Sequence, residues 1–164
     1  MRPSFWAVIL LLGVAEAAGS ADPTEPLFIL QRSRDANEVH YDARLSADGQ
    51  LDEKDPIDAY WLRKAEDGSR KPLSKIMLIA YGFEVKAPRE GRYPFKLKCF
   101  SLRTTTLVRT GGHWRVETTI SGQTAFLNRL FVTTDESGTF PKVLSIDLFG
   151  EDAGGKPLHE HLPL

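Results

Sequence analysis

Cysteine is nearly absent: Cys99 is the only one in 164 residues. A single thiol cannot close an internal bridge, so the domain must be held by packing alone. An excess of charge of one sign is missing too. Lys and Arg total 21, Asp and Glu 22, and the formal net charge is −1. A balanced chain lacks the basic surface that non-specific phosphate binding needs, which argues against nucleic acid as a partner. No apolar run reaches the ~20 residues of a membrane-spanning helix. Internal repeats and low-complexity tracts are lacking. So are the signatures of common chemistries: there is no Gly-x-Ser-x-Gly elbow, no Walker-type loop, no His-Glu-x-x-His and no Cys-x-x-Cys.

What is present begins with an address label. Arg2 precedes an apolar stretch from Phe5 to Val14, and Ala15-Glu16-Ala17 supplies the small–any–small pattern that a signal peptidase reads. This is the layout of a secretory signal peptide, with cleavage expected after Ala17. The stretch is about half of a spanning length, so it reads as a cleaved segment and not an anchor. No Cys follows it to carry a lipid. The expected product is a soluble protein of 147 residues, periplasmic or extracellular. That length suits one domain with a sizeable core. Residues 18–26, with Pro23 and Pro26, read as a linker, and residues 27–164 as a single β-rich domain.

The domain is dominated by period-two patterns. In Glu38–Leu45 the residues Val39, Tyr41, Ala43 and Leu45 share one face, while Glu38, His40, Asp42 and Arg44 share the other. Alternation of this kind predicts a half-buried strand. Leu27–Arg32, Ile57–Lys64, Tyr93–Phe100, Thr104–Thr110, His113–Ile120, Gln123–Thr134 and Lys142–Phe149 also read as strands. Gly111-Gly112 and Ser121-Gly122 mark tight hairpins between consecutive members. One helix is expected near residues 72–81, where Leu73, Ile76, Met77 and Ala80 form an i, i+3, i+4, i+7 stripe between Pro72 and Gly82. The predicted architecture is mainly β: an antiparallel meander forming a barrel or sandwich of about eight strands, with that one short helix.

Several residues are candidates for chemistry. Cys99 shares the apolar face of its strand with Phe95 and Leu97 and reads as a small hydrophobe, not a nucleophile. His159 and His161 would point the same way along a strand, but two imidazoles are too few for a zinc site, and the segment reads as a solvated tail. Ser46–Asp55 carries Asp48, Asp52, Glu53 and Asp55. Aligning Gly49 with the glycine of a calcium loop places Arg44 first and Asp55 last, which is not an EF-hand. It reads as a hydrophilic hairpin loop, with a looser calcium site as the alternative. Tyr41, Tyr60, Trp61, Tyr81 and Phe83 form an aromatic set suited either to lining a ligand pocket or to core packing.

Taken in order, Asp35 to Ala43, Asp48-Gly49-Gln50-Leu51-Asp52, Ala59-Tyr60-Trp61, Glu66-Asp67-Gly68 and Ala80-Tyr81-Gly82-Phe83 resemble the bacterial domain-of-unknown-function family DUF4833. Pro141-Lys142-Val143 and Leu148-Phe149-Gly150 resemble its C-terminal end. The resemblance spans about Leu27 to Pro157. It implies a bacterial setting and a single exported domain, and it transfers no catalytic residue.

The expected function is a non-catalytic binding module for a small apolar or amphipathic ligand or an envelope protein partner. No cofactor and no metal are called for. The alternatives are an envelope hydrolase using carboxylates such as Asp42, Asp58 and Glu84, or a structural interaction protein marked by an exposed apolar patch.

Overall fold

A computed structural model describes residues 23–138 and 141–164, so the segment Met1–Ala17 and the cleavage expected after it lie outside the described residues. Strands β1 (Thr24–Arg32), β2 (Glu38–Arg44), β3 (Ile57–Leu62) and the three-residue β4 (Arg70–Pro72) form one antiparallel leaf. After the helix α1 (Lys75–Tyr81), strands β5 (Phe83–Val85), β6 (Tyr93–Leu97), β7 (Thr105–Thr110), β8 (His113–Ile120) and β9 (Gln123–Asp135) follow as a meander. Then β10 (Lys142–Glu151) runs back along β9, and β11 (Pro157–Pro163) along β10.

The two leaves meet on β9. Its start, Gln123–Phe126, pairs with β8, and Arg129–Val132 pairs with β1 in parallel. Both partners take the same edge in succession, because β10 occupies the other edge from Phe126 to Asp135. The result is an eleven-stranded mixed sheet with nine strands on its main path, β4-β3-β2-β1-β9-β8-β7-β6-β5, curled into a half-barrel. The mainly-β class with one short helix is as expected. The purely antiparallel meander is corrected by the β1–β9 pair. Period-two patterning sets which face is buried but does not encode strand direction.

The concave face is the core. Val39, Tyr41 and Ala43 of β2, the apolar face of the alternation, are fully buried together with Leu30, Leu107, Val116, Leu130 and Leu148. The Gly111-Gly112 hairpin has φ of 59° and 86°, the doubly positive turn whose twist matches the flanking strands. Gly150 marks a different constraint. A Cβ there would sit 2.2 Å from the Phe126 carbonyl oxygen, at the register shift where β10 passes β9.

The helix starts later than its stripe implies. Ser74 caps it, its hydroxyl accepting from the Met77 N–H at 3.3 Å, and Pro72 closes β4 instead. Gly82 does end it, its N–H donating to the Leu78 carbonyl at 3.1 Å. Of the stripe, Leu73 is buried and Met77 packs on the core, whereas Ile76 is exposed.

The C-terminal segment is not a solvated tail but β11. Arg103 grips the Glu160 carboxylate with Nη1 at 2.6 Å and Nη2 at 2.5 Å, and the Ser121 N–H donates to it at 2.5 Å. His159 and His161 both meet Asp147 of β10, at 2.7 and 3.0 Å. The guanidinium of Arg103 holds the Glu160 carboxyl down at about 2. An unfolded glutamate titrates near ~4.3, so this tie contributes above that pH and is lost as pH falls toward 2. Urea midpoints measured from pH 6 to pH 2 will therefore fall more steeply for the native chain than for Glu160→Gln; parallel curves would contradict the tie.

Candidate functional site

Arg32 is the last residue of β1, at the point where that strand leaves β9. Its guanidinium carbon lies 4.6 Å from the centre of the Trp61 ring and 5.7 Å from that of Tyr81, a cation set against two neighbouring aromatic rings. Nη1 donates to the Tyr81 hydroxyl at 3.0 Å, and Nη2 reaches both Asp35 oxygens at 3.0 and 2.8 Å. The third donor, Nε, is buried and has no acceptor among the described residues. Tyr81 closes α1, and its carbonyl accepts from the Tyr41 hydroxyl at 2.7 Å. The helix end, Arg32 and the aromatic core are thus one assembly. Burial pushes the Tyr41 phenol well above its ordinary range, which keeps it a neutral donor.

Beside this assembly opens a cleft of about 310 Å³. Ala80 and Tyr81 of the helix form one side, Val132 of β9 and Val143 of β10 the other, with Arg32 and Lys98 supplying cationic groups. Lys98 is exposed, and its backbone N–H is fixed to the Gly82 carbonyl at 2.9 Å. Cys99 also lines the cleft. Burial pushes its thiol up to about 12, so at neutral pH it is held in the uncharged form.

The aromatic set is divided between three places. Tyr41 stacks on Phe28 at 4.4 Å, and Phe83 meets Tyr41 and Phe95 edge-on at 6.5 Å, all within the core. Trp61 and Tyr81 flank Arg32, 6.2 Å apart. Tyr60 faces the other way, stacked on His40 at 5.3 Å with the Arg70 guanidinium 3.6 Å above its ring.

The candidate carboxylates separate too. Asp42 and Asp58 are cross-strand partners on the outer face of β2 and β3, and Glu84 is exposed on β5 opposite Lys96. Asp58 is bridged by Arg44 and Arg70. Burial raises the Asp42 carboxyl, against the pull of the Tyr60 hydroxyl. With His40, Ile29 and Asn128 it lines a second cavity of about 270 Å³. In the Ser46–Asp55 loop, Asp48 accepts from the Ser46 hydroxyl at 2.5 Å, Glu53 accepts from the Tyr93 hydroxyl at 2.8 Å, and Asp55 pairs with Arg44. Among the described residues no group of three or more His, Cys, Asp or Glu side chains is arranged to hold a metal ion.

The model of one family, the domain of unknown function DUF4833, matches residues 28–161. The chain belongs to the DUF4833 family. No curated protein and no solved structure matches it. The match runs from Phe28 in β1 to His161 in β11, so the DUF4833 domain includes Arg32, Trp61, Tyr81, Lys98 and both walls of the cleft. Of these, only Trp61 and Tyr81 were legible as site candidates. Arg32 reads in sequence as the polar end of a strand, and Lys98 as one outward residue of an alternating run. Nothing local marks either one, because β1 and β9 are brought together by a pairing distant in sequence and α1 is held beside them by the Tyr41–Tyr81 bond.

Proposed function

We propose that this DUF4833 domain is a non-catalytic binding module that takes a small amphipathic molecule with an anionic end. The observation that carries the reading is the cleft beside α1, which has apolar walls and is lined by two cationic residues, Arg32 and Lys98. Small-molecule sites are mostly apolar with a few fixed polar groups, and this cleft has that make-up. Arg32 is preorganised by Trp61, Tyr81 and Asp35, so little side-chain entropy is lost when an anion docks. Lys98 carries a charge with no ion-pair partner among the described residues. The apolar end of the ligand would lie along Val132, Val143 and Ala80.

Carboxylate-based hydrolysis is the second reading. It draws on Asp42, a buried acid with a raised carboxyl beside His40 at the outer cavity. Turnover of a chromogenic ester or glycoside that is lost in Asp42→Asn would carry it.

We further propose that Met1–Ala17 exports the domain to the periplasm or the medium. The support is the basic, apolar and small-residue layout of that segment. The secreted protein should have the intact mass of a 147-residue chain beginning at Ala18; a secreted product that retains Met1 would count against it.

The ligand reading is tested by thermal unfolding with decanoate and with decanol. Decanoate raises Tm and decanol does so less. Lys98→Gln weakens the decanoate effect about five- to tenfold in concentration, the loss of one charge-assisted contact of roughly 1–1.4 kcal/mol. Equal shifts with acid and alcohol, or no dependence on Lys98, would defeat the reading.

A further inference from the structure

We propose that α1 is a docking element for an anionic lipid surface. Ile76 is 80% exposed, Ile79 73% and Leu78 41%. They are three of the seven exposed large hydrophobics among the described residues and fall within four consecutive positions of one helix, so these are a patch and not scattered singletons. Ile76 and Ile79 stand one turn apart and project on the same side. The helix itself is fastened from below. Ser74 caps its start, Met77 and Tyr81 pack on the core, and the Tyr41 hydroxyl holds its last carbonyl. None of this requires isoleucine on the outer side, where polar helix formers would fold as well.

Charge decides what covers the patch. From Ser69 to Phe83 there is no Asp or Glu, while Arg70, Lys71 and Lys75 lie in that stretch. The next residue, Glu84, is an exposed acid on β5 and stands opposite Lys96. Lys98 stands at the foot of the helix through its bond to Gly82. Lys71, Lys75 and Lys98 are exposed and enter no ion pair among the described residues. An apolar helix face bordered by unpaired lysines is what an interfacial helix presents to anionic lipid: the side chains enter the acyl boundary and the ammonium groups meet phosphate. A second copy of this chain fits poorly. One face of a seven-residue helix, ~10 Å long and ~10 Å wide, covers on the order of 100 Å², far short of the roughly 800 Å² per partner of a stable interface. A two-fold contact would also set Lys75 against its own copy. The inference goes beyond the ligand reading and does not rest on it, although Ala80 and Tyr81, which line the cleft, would then face the lipid.

The test is amide hydrogen exchange of the full chain with vesicles of phosphatidylcholine and phosphatidylglycerol in equal parts, and with phosphatidylcholine alone. The readout is local to residues 74–82, so the apolar run at Phe5–Val14 does not enter it. Exchange across 74–82 slows with the mixed vesicles and not with phosphatidylcholine. Ile76→Ser with Ile79→Ser abolishes that protection and leaves the urea midpoint unchanged. Lys75→Gln with Lys98→Gln lowers the apparent vesicle affinity about 25-fold, roughly fivefold per charge. Absence of protection with mixed vesicles overturns the proposal, as does equal protection in the double serine variant or with phosphatidylcholine alone. Protection that rises with protein concentration without vesicles assigns the patch to a second copy and also overturns it.

Discussion

β9 carries three neighbours on two edges, and the rest of the structure depends on that sharing. β8 and β1 take successive lengths of one edge, and β10 takes the other. A strand paired in this way must be long, and β9 is the longest at 13 residues. Because the two leaves start from the same strand, their inner faces close on each other and bury Tyr41, Phe95, Leu107 and Leu130 in one core. The parallel pairing also delivers the end of β1, and with it Arg32, to the mouth formed by α1, β9 and β10. A guanidinium at this depth needs partners, and it has three: two aromatic rings and Asp35.

The outer face of the sheet answers the same physical demand in another way. Glu38 and Asp42 alternate with the core residues of β2, yet both are buried. Glu38 is ringed by Lys64 at 2.6 Å, Gln31 at 2.8 Å and His40 at 2.8 Å, and despite its desolvation these donors hold its carboxyl below the ordinary range. Asp42 has fewer donors, and its carboxyl moves up instead. Two acids on one strand thus move in opposite directions because one is compensated and the other is not.

Much of the fold was legible in the residues. Alternation in β2, the glycine hairpin before β8 and the isolated helical stripe all follow from local chemistry that the structure keeps. What was not legible has a common cause. β4, β5 and the pairing of β11 depend on partners distant in sequence: β11 looks like a polar tail until Arg103 and Asp147 are placed beside it. The helix stripe misled about burial, since the geometry that aligns Ile76 with Leu73 does not say whether a second layer covers it. The aromatic set does not stay together as a unit. Tyr60 and Trp61 are neighbours on one strand, so they must face opposite sides of the sheet. The candidate site lies across three elements, and its charged members carry no local signal.

The cleft beside α1 is the proposed meeting point of the domain and its ligand. Chemical-shift mapping by NMR during a decanoate titration measures this residue by residue. The predicted result is saturable shifts of the Arg32 Nε–H and of the Val132 and Val143 methyls, with the Ile29 methyls at the outer cavity unchanged. Shifts confined to Ile29 and His40, or none that saturate, would contradict it.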